Sequence, residues 1–326
     1  MASPPRETMR ALVLDRYGGP EVLRLVDRPV PEPGPGEVRV RVEATSINLS
    51  DWEGLVGSPF YARIGGLRRP ARPILGSDVA GQVDAVGPDV TEFVVGDDVY
   101  GDNLERKGGF AEWVVVPVVA LAHKPAGLSF ADASTIPQAG SIAVAAAALA
   151  NTGDRVALNG GGGGTGMFAI PLLKATGVHV TGVDNAGKLA FMRTLGADAV
   201  VDYRADDYTR TRAPFDLIVD LVARRSVFAY RRALADGGRY AVVGGPVRTM
   251  LRVLTLGTVV GRVSGRRLGV LVVPSGPDHF APVGERVAAG ALPVHIDRRV
   301  TLDEVPEALA AVGAGEVLGK VVVEPG

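Results

Sequence analysis

A two-part α/β fold, with a mostly β region followed by a doubly wound parallel sheet, is predicted by three observations. At 326 residues the chain exceeds the size at which a single hydrophobic core stops growing, so two domains, or one split by an insertion, are expected. From Arg10 to about Lys124, short β-branched runs alternate with Gly and Pro, a pattern of strands and turns. After Lys124 the rhythm changes to strand, glycine turn, helix and strand, repeated, which is how a parallel sheet with crossover helices reads.

In chain order, the first region offers strands at 38–42, 79–86, 98–100 and 111–116. Pro29, Pro31, Pro33 and Pro35 cannot occupy central strand positions and are read as an extended connection between two strands. The second region offers strands at 155–158, 179–183, 199–201, 216–220, 239–243 and 268–273, with helices at 166–176, 187–195 and 226–234. Each helix is long enough to complete a crossover, and six such strands suggest a dinucleotide-binding sheet. The tail, with helices at 280–289 and 302–312 and a strand at 320–323, is expected to return to the first domain. The expected domains are therefore 1–124, 125–274 and a return at 275–326. No repeat of solenoid length is present.

Composition narrows the function classes. Hydrophobic residues make up 47% and charged residues 22%, which fits a soluble globular protein. Lys+Arg at 35 against Asp+Glu at 36 gives no whole-molecule reason to expect nucleic acid or membrane as partner, leaving small molecules as the default. One local exception runs from Arg224 to Arg267, where ten Arg face one acid, Asp236. It is read as a solvated or subunit-facing surface, with an acidic substrate as the alternative. With no Cys, a disulfide framework, a thiol nucleophile and a thiolate zinc site are all excluded. The N-terminus has no apolar signal region and the longest apolar stretch, 142–150, is too short to span a bilayer, so a cytoplasmic location is expected. His123, His179, His279 and His295 fall in no triad or metal spacing and are read as structural or exposed.

The strand at 155–158 runs into Asn159-Gly-Gly-Gly-Gly-Gly-Thr-Gly166, followed by a helix. Gly161, Gly163 and Gly166 satisfy G-x-G-x-x-G in the strand-turn-helix context that the pattern needs. Gly164 and Thr165 lie within the same turn. Missing side chains let the turn close and bring backbone N–H groups and a helix N-terminus against a pyrophosphate. Asp184 ends the next strand, eighteen residues beyond Gly166, where an acid accepts hydrogen bonds from ribose hydroxyls; its other reading is a helix cap. An acid there favours NAD, whereas Lys188 offers positive charge to NADP. The sequence leaves NADP(H) or NAD(H) open.

Several segments resemble the medium-chain dehydrogenase/reductase superfamily in the right order along nearly the whole chain. They include Tyr17-Gly-Gly-Pro-Glu-Val-Leu23, Ser46-Ile-Asn-Leu-Ser-Asp51, Leu75-Gly-Ser-Asp-Val-Ala-Gly81, Gly96-Asp-Asp-Val99, Leu195-Gly-Ala-Asp198 and Leu318-Gly-Lys-Val-Val322. The resemblance implies a GroES-like catalytic domain built from both chain ends, a Rossmann domain between them, and a cleft where nicotinamide meets substrate. It also implies a homodimer or homotetramer formed by pairing the last Rossmann strands, near 268–273. Met9-Arg-Ala-Leu-Val resembles the first strand of such reductases, so residues 1–8 read as a flexible extension or an upstream start.

Zinc-dependent members carry a Cys at the position matching Asn48 and a His-Glu pair at the position matching Ser77-Asp78. Those ligands are missing here, and the short segment between Tyr100 and Gly109 has no room for a four-Cys lobe. The chain therefore resembles the zinc-free quinone oxidoreductase and enone reductase branch. Without a metal to stabilise an alkoxide, hydride transfer to a quinone or an α,β-unsaturated carbonyl asks least of the protein, because the charge spreads into an oxygen that a few donors stabilise.

By resemblance, Asn48, Asp51 and Trp52 line the cleft, Ser77 sits in the vacated zinc region, Gln138 and Ser141 lie beneath the nicotinamide, and Tyr61 is a mobile hydroxyl. The alternative is that Asn48 and Asp51 cap a helix and Trp52 is core. Lys188 and Tyr203 match adenosine-end positions, Gly244 and Gly245 match the loop beside the nicotinamide ribose, and Lys320 matches a lysine near the cofactor. The rival functions are a zinc-free NAD(P)-dependent alcohol dehydrogenase or carbonyl reductase, a dedicated biosynthetic enoyl reductase, and a non-catalytic cofactor-binding relative. Residues 54–72, expected to line the pocket, carry no pattern that names a substrate.

Overall fold

The structure, a computed structural model, describes residues 8–326. The expected N-terminal extension lies outside the described residues apart from Thr8, which opens β1 (Thr8–Leu14). β1 pairs antiparallel with β2 (Leu23–Pro29), and the proline-bearing residues 30–36 form the connection into β3 (Glu37–Ser46). Pro29 is the exception among the four prolines, since it closes β2 rather than joining the connection. β3 alternates over its first eight residues, with Val38, Val40, Val42 and Ala44 buried and Arg39 and Arg41 less so, the period of a sheet with one core face. Next come α1 (Leu49–Val56), β4 (Asp78–Val86), β5 (Asp98–Asp102), β6 (Trp113–Pro117), β7 (Leu121–His123) and α2 (Phe130–Ser134).

Helix α3 (Pro137–Ala147) leads into the parallel sheet. Its elements are β8 (Arg155–Asn159), α4 (Gly164–Ala175), β9 (His179–Asp184), α5 (Leu189–Thr194), β10 (Ala199–Asp202), β11 (Phe215–Asp220), α6 (Val227–Ala233) and β12 (Leu234–Val242). They are followed by α7 (Val247–Arg252), a π-helical turn (Val253–Gly257), α8 (Thr258–Ser264) and β13 (Arg267–Val270). The strand order β10-β9-β8-β11-β12-β13 is the doubly wound order 3-2-1-4-5-6, which reverses direction between β8 and β11 and places ligands at the carboxyl ends of those strands. The chain then forms α9 (Ala281–Ala288), β14 (Ile296–Val300), α10 (Val305–Ala314) and β15 (Lys320–Val323).

Two compact units result: residues up to Gln138 together with Ser275–Gly326, and Ala139–Pro274. The tail returns as expected because β15 enters the first sheet, whose order is β14-β15-β3-β4-β5-β7 with β6 on β3. The expected change of domain after residue 124 falls instead after Gln138, since α2 packs on β3, β4 and β5. In the first unit Leu12, Leu55, Phe110, Leu309 and Val321 share one buried cluster. In the second, Tyr230 and Tyr240 stack with centroids 4.0 Å apart among Ile218, Val242 and Leu268. Each fully buried aliphatic side chain stabilises by about 2 kcal/mol.

Candidate functional site

In the first unit, a polar network occupies the positions that resemblance assigns to a zinc site. Asn48 is the N-cap of α1 and is buried, as are Ser77, Asp78 and Lys320. The Lys320 ammonium donates to Asn48 Oδ1 at 2.6 Å and to Asp78 Oδ2 at 3.1 Å. Asn48 Nδ2 in turn donates to Asp78 Oδ2 at 2.8 Å and Ser77 Oγ at 3.2 Å. The amide orientation is dictated, because an ammonium must face its oxygen and a carboxylate its nitrogen. Ser46 Oγ also donates to Asp78 Oδ2 at 2.8 Å, and the backbone N–H of Gln138 donates to Asp78 Oδ1 at 3.0 Å. A fixed ammonium holds the place of a cation here, and among the described residues no group of three or more His, Cys, Asp or Glu could hold a metal.

A second ion pair lies beside the first. Asp51 Oδ2 accepts from the Asn48 backbone N–H at 2.9 Å, and Asp51 Oδ1 accepts from Gly76 N–H at 3.1 Å and from the Lys107 ammonium at 2.9 Å. Lys107 reaches back because its backbone is left-handed, with φ 57°, and Asn103 Nδ2 holds its carbonyl at 2.6 Å. With both lysines committed to Asp78 and Asp51, two further acids are left without a full counter-charge. Burial, reinforced by the Asp78 and Asp51 charges, pushes the Asp102 carboxyl up to about 7 against the opposing pull of Lys107. Burial likewise pushes Glu53 up to about 7, opposed by Tyr61 and Lys107. Asp102 Oδ1 is buried without a hydrogen-bond partner, whereas Glu53 meets the Tyr61 hydroxyl at 3.4 Å.

The sequence candidates divide accordingly. Asn48, Asp51 and Ser77 come together, and both Asn48 and Asp51 serve α1 as caps as well. Gln138 joins them through its backbone, and its Oε1 accepts from Ser50 Oγ at 3.2 Å. Trp52 takes the core reading: it packs on the first unit's apolar cluster, and a Cβ on Gly313 of α10 would lie 2.3 Å from its ring. Tyr61 sits half-buried on a short 3-10 turn, Phe60–Arg63, while Ser141 is buried on α3. Lys320, expected near the cofactor, is the cation of the Asn48–Asp78 network. Reasoning from sequence missed Glu53, Asp102 and Lys107, which no motif marks; Asp78 was visible as the residue replacing a zinc-site acid.

Replacing Asn48 with Ala leaves the buried Lys320 ammonium and Asp78 carboxylate each short of a partner, at a cost of about 1–3 kcal/mol. The expected result is a lower melting temperature together with lower turnover. A loss of turnover at unchanged melting temperature would show that the amide is not part of a structural network.

In the second unit, the glycine turn forms as its spacing requires. β8 ends at Asn159, Gly160 turns at φ +89°, and α4 starts from its N-cap Gly163. A Cβ on Gly166 would lie 1.9 Å from the Gly161 carbonyl oxygen, so only glycine lets the helix close on the turn. Gly164 and Thr165 form the first turn of α4, partly exposed.

Asp184 ends β9 and is no helix cap, since Asn185 caps the turn that follows. Its Oδ2 accepts from the Gly162 N–H at 2.9 Å and its Oδ1 from the Asn185 N–H at 2.8 Å. Lys188 Nζ lies 4.0 Å from Asp184 Oδ2. Tyr203 follows β10, and its N–H donates to the Asp184 carbonyl at 3.1 Å; the Arg204 guanidinium lies 5.7 Å from its ring centroid. At the carboxyl ends of β11 and β12, a Cβ on Gly245, at φ +135°, would lie 2.8 Å from the Ala223 Cβ, while Gly244 is partly exposed. The backbone donors, missing side chains and acid fit a dinucleotide.

Comparison with known proteins agrees with this geometry. The alcohol dehydrogenase GroES-like domain matches residues 34–126 and the family described as zinc-binding dehydrogenase matches residues 195–323. The chain is 31% identical over 334 residues to the chloroplastic quinone-oxidoreductase QR1 of Triphysaria versicolor, covering 97% of this chain and 98% of that protein. It is 30% identical over 369 residues to the mitochondrial NAD(P)H oxidoreductase RTN4IP1 of Bos taurus, covering 98% and 90%. The solved structure of the quinone oxidoreductase from Coxiella burnetii matches with a TM-score of 0.88 at 30% identity, covering 97% and 99%. The chain therefore belongs to the medium-chain dehydrogenase/reductase superfamily, as a member of its quinone oxidoreductase type.

Proposed function

We propose that this protein is a zinc-independent NAD(P)H-dependent oxidoreductase that reduces a quinone or an α,β-unsaturated carbonyl. One observation carries the reading: the Lys320 ammonium lies between Asn48 Oδ1 and Asp78 Oδ2, where a zinc enzyme would need metal ligands. Oxidising a saturated alcohol needs a strong stabiliser for the alkoxide, whereas an already electrophilic acceptor needs mainly positioning and a few donors. The names of the relatives support the same class, since they include quinone oxidoreductases, NAD(P)H oxidoreductases and a 2-methylene-furan-3-one reductase of Solanum lycopersicum. In the segment expected to line the pocket, Phe60, Ile64 and Leu67 are exposed apolar side chains, which suits a hydrophobic acceptor.

The nicotinamide supplies the hydride when bound. The turn from Gly161 to Gly166 and the N-terminus of α4 would hold the pyrophosphate, with Gly244 and Gly245 beside the nicotinamide ribose. Tyr61 is the hydroxyl assigned to proton delivery, beside a Glu53 carboxyl that retains its own proton to about pH 7. NADPH is the preferred form in this reading. The Asp184 carboxylate is committed to Gly162 and Asn185, while Lys188 and Arg204 bring positive charge to the same end. A homodimer or homotetramer through the edge of β13, which has β12 as its neighbour in the sheet, is part of the proposal, because an open edge invites pairing.

The test is oxidation of NADPH and NADH, followed at the nicotinamide absorbance with chelator present, against quinones, enones, aldehydes and ketones. Turnover of quinones or enones that resists the chelator is expected; activity confined to alcohols with NAD+, or restored only by added zinc, would overturn the reading. Lys188→Ala should raise KM for NADPH roughly tenfold, by loss of a charge-assisted contact, and leave KM for NADH nearly unchanged. Equal effects on both cofactors would remove Lys188 from phosphate recognition.

A further inference from the structure

Apart from Gly244 and Gly245, the arginine-rich stretch between Arg224 and Arg267 has no part in the chemistry above, yet it contains the least expected surface of the second unit. There α7, the π-helical turn and α8 follow one another without a break. One side of this rod is seated through Val253, Gly257 and Gly261, four residues apart and all buried. Closeness requires the glycine at Gly261, where a Cβ would lie 2.7 Å from the Arg266 carbonyl oxygen, whereas one on Gly257 would make ordinary contact with the Leu268 Cβ at 3.4 Å.

With that seam used, Leu251, Leu254, Val259 and Val263 remain 56%, 56%, 60% and 85% exposed. A helix that is apolar on both sides has here buried only one of them. The threonines among these residues spend their donors inside the helix, Thr255 Oγ1 on the Leu251 carbonyl at 2.7 Å and Thr258 Oγ1 on the Leu254 carbonyl at 3.0 Å. That is the arrangement a low-dielectric medium demands.

Charge identifies the medium. The one acid of the stretch, Asp236, is bound by Arg266 at 2.9 Å. Arg248, Arg252 and Arg262 are exposed and form no ion pair with any described residue. We propose that the α7–α8 face docks on an anionic lipid bilayer, with its leucines and valines entering the headgroup boundary and Arg248, Arg252 and Arg262 meeting lipid phosphates. A second copy of the chain would bring the same arginines against each other without acids to neutralise them. Nucleic acid is gripped by polar and stacking side chains, whereas this face offers aliphatic ones. The whole-chain balance of 35 basic to 36 acidic residues hides the patch because its compensating acids lie elsewhere in the chain. The inference stands apart from the identity of the electron acceptor.

The test is sedimentation of the full chain with vesicles of phosphatidylcholine alone and of phosphatidylcholine mixed equally with phosphatidylglycerol. Binding to the anionic vesicles, weakened by added salt, is expected. Reversing Arg248, Arg252 and Arg262 to Glu should weaken it roughly 100-fold, and changing Leu251, Leu254, Val259 and Val263 to Ser should weaken it at least tenfold. Reduction of a soluble quinone should be unchanged in the arginine variant, which keeps the test valid if the serine variant fails to fold. Three results would each overturn the proposal: no binding to either vesicle, equal binding by the arginine variant, or an RNA oligonucleotide bound in place of lipid. Self-association lost in the serine variant without any vesicle binding would assign the face to a second copy instead.

Discussion

Gly166→Ala is expected to abolish dinucleotide binding and to lower the melting temperature of the second unit. The methyl group would lie 1.9 Å from the carbonyl oxygen of Gly161, 2.4 Å from its carbonyl carbon and 2.7 Å from its Cα. These are backbone atoms, so no rotamer relieves the contact and α4 must move off the turn. Overpacking of this kind costs about 1–3 kcal/mol or more. The displaced helix also withdraws the N–H groups and positive end that would face a pyrophosphate. Gly163→Ala separates the two consequences: its added Cβ would approach nothing closer than the Gly160 carbonyl oxygen at 3.9 Å, so melting should be unchanged while affinity for NADPH falls. Calorimetric titration with NADPH checks both variants. Trp52 and Trp113, the chain's two tryptophans, belong to the first unit, so their fluorescence should report the same unfolding as wild type. Retained NADPH affinity in Gly166→Ala would mean that the turn does not hold the cofactor.

The glycine turn was legible because its chemistry is local. Strand, turn and helix are contiguous, and Asp184 lies one crossover away, so the pattern alone places β8, β9 and α4 within a few residues. The strand Lys320–Val323 was legible for the same reason, but the partner of Lys320 was not. Its hydrogen bond to Asn48 spans 272 positions in sequence and exists because β15 lies antiparallel beside β3. No periodicity encodes that register, and resemblance alone drew the lysine toward the cofactor.

Trp52 was ambiguous between cleft and core until Gly313 supplied the space beneath its ring. β14 escaped notice because Ile-Asp-Arg-Arg-Val has no alternation; it runs along the sheet edge, where one side needs no apolar pattern. The π-helical turn has no sequence signature, yet it lies within the segment whose arginines stood out by composition. Residues 125–138 fall in the first unit, and the sequence does not place them because a helix after a strand looks the same whether it covers a parallel or an antiparallel sheet.

Asp102→Asn should make the stability of the first unit less dependent on pH. The carboxyl is buried, faces the Asp78 and Asp51 charges, and has one oxygen without a hydrogen bond. Lys320 and Lys107, which could have balanced it, are committed to Asp78 and Asp51. In the unfolded chain an Asp loses its proton near 3.8, whereas in the folded protein Asp102 keeps it to about 7. Between those values the native state binds more protons than the unfolded state, so stability falls as pH rises through the window and the penalty is complete above about pH 7. At about 1.4 kcal/mol per unit, the shift from 3.8 to about 7 makes the full penalty on the order of 4 kcal/mol.

Acids shifted downward, such as Glu37, Asp198 and Asp207, act in the opposite sense, but their contribution is lost only as pH falls through the acid range below this window. Tryptophan fluorescence melts from about pH 5 to pH 8 should therefore show a decline in the wild type that is shallower in Asp102→Asn and shallower again when Glu53→Gln is added, since Glu53 shifts in the same direction. Parallel curves for all three proteins would show that Asp102 is already ionised at neutral pH. The cluster would then have a counter-charge beyond the two lysines. In the expected case, the cluster beside Asn48 holds two ion pairs and two carboxyls that are protonated below about pH 7, and it gains negative charge as pH rises through that value.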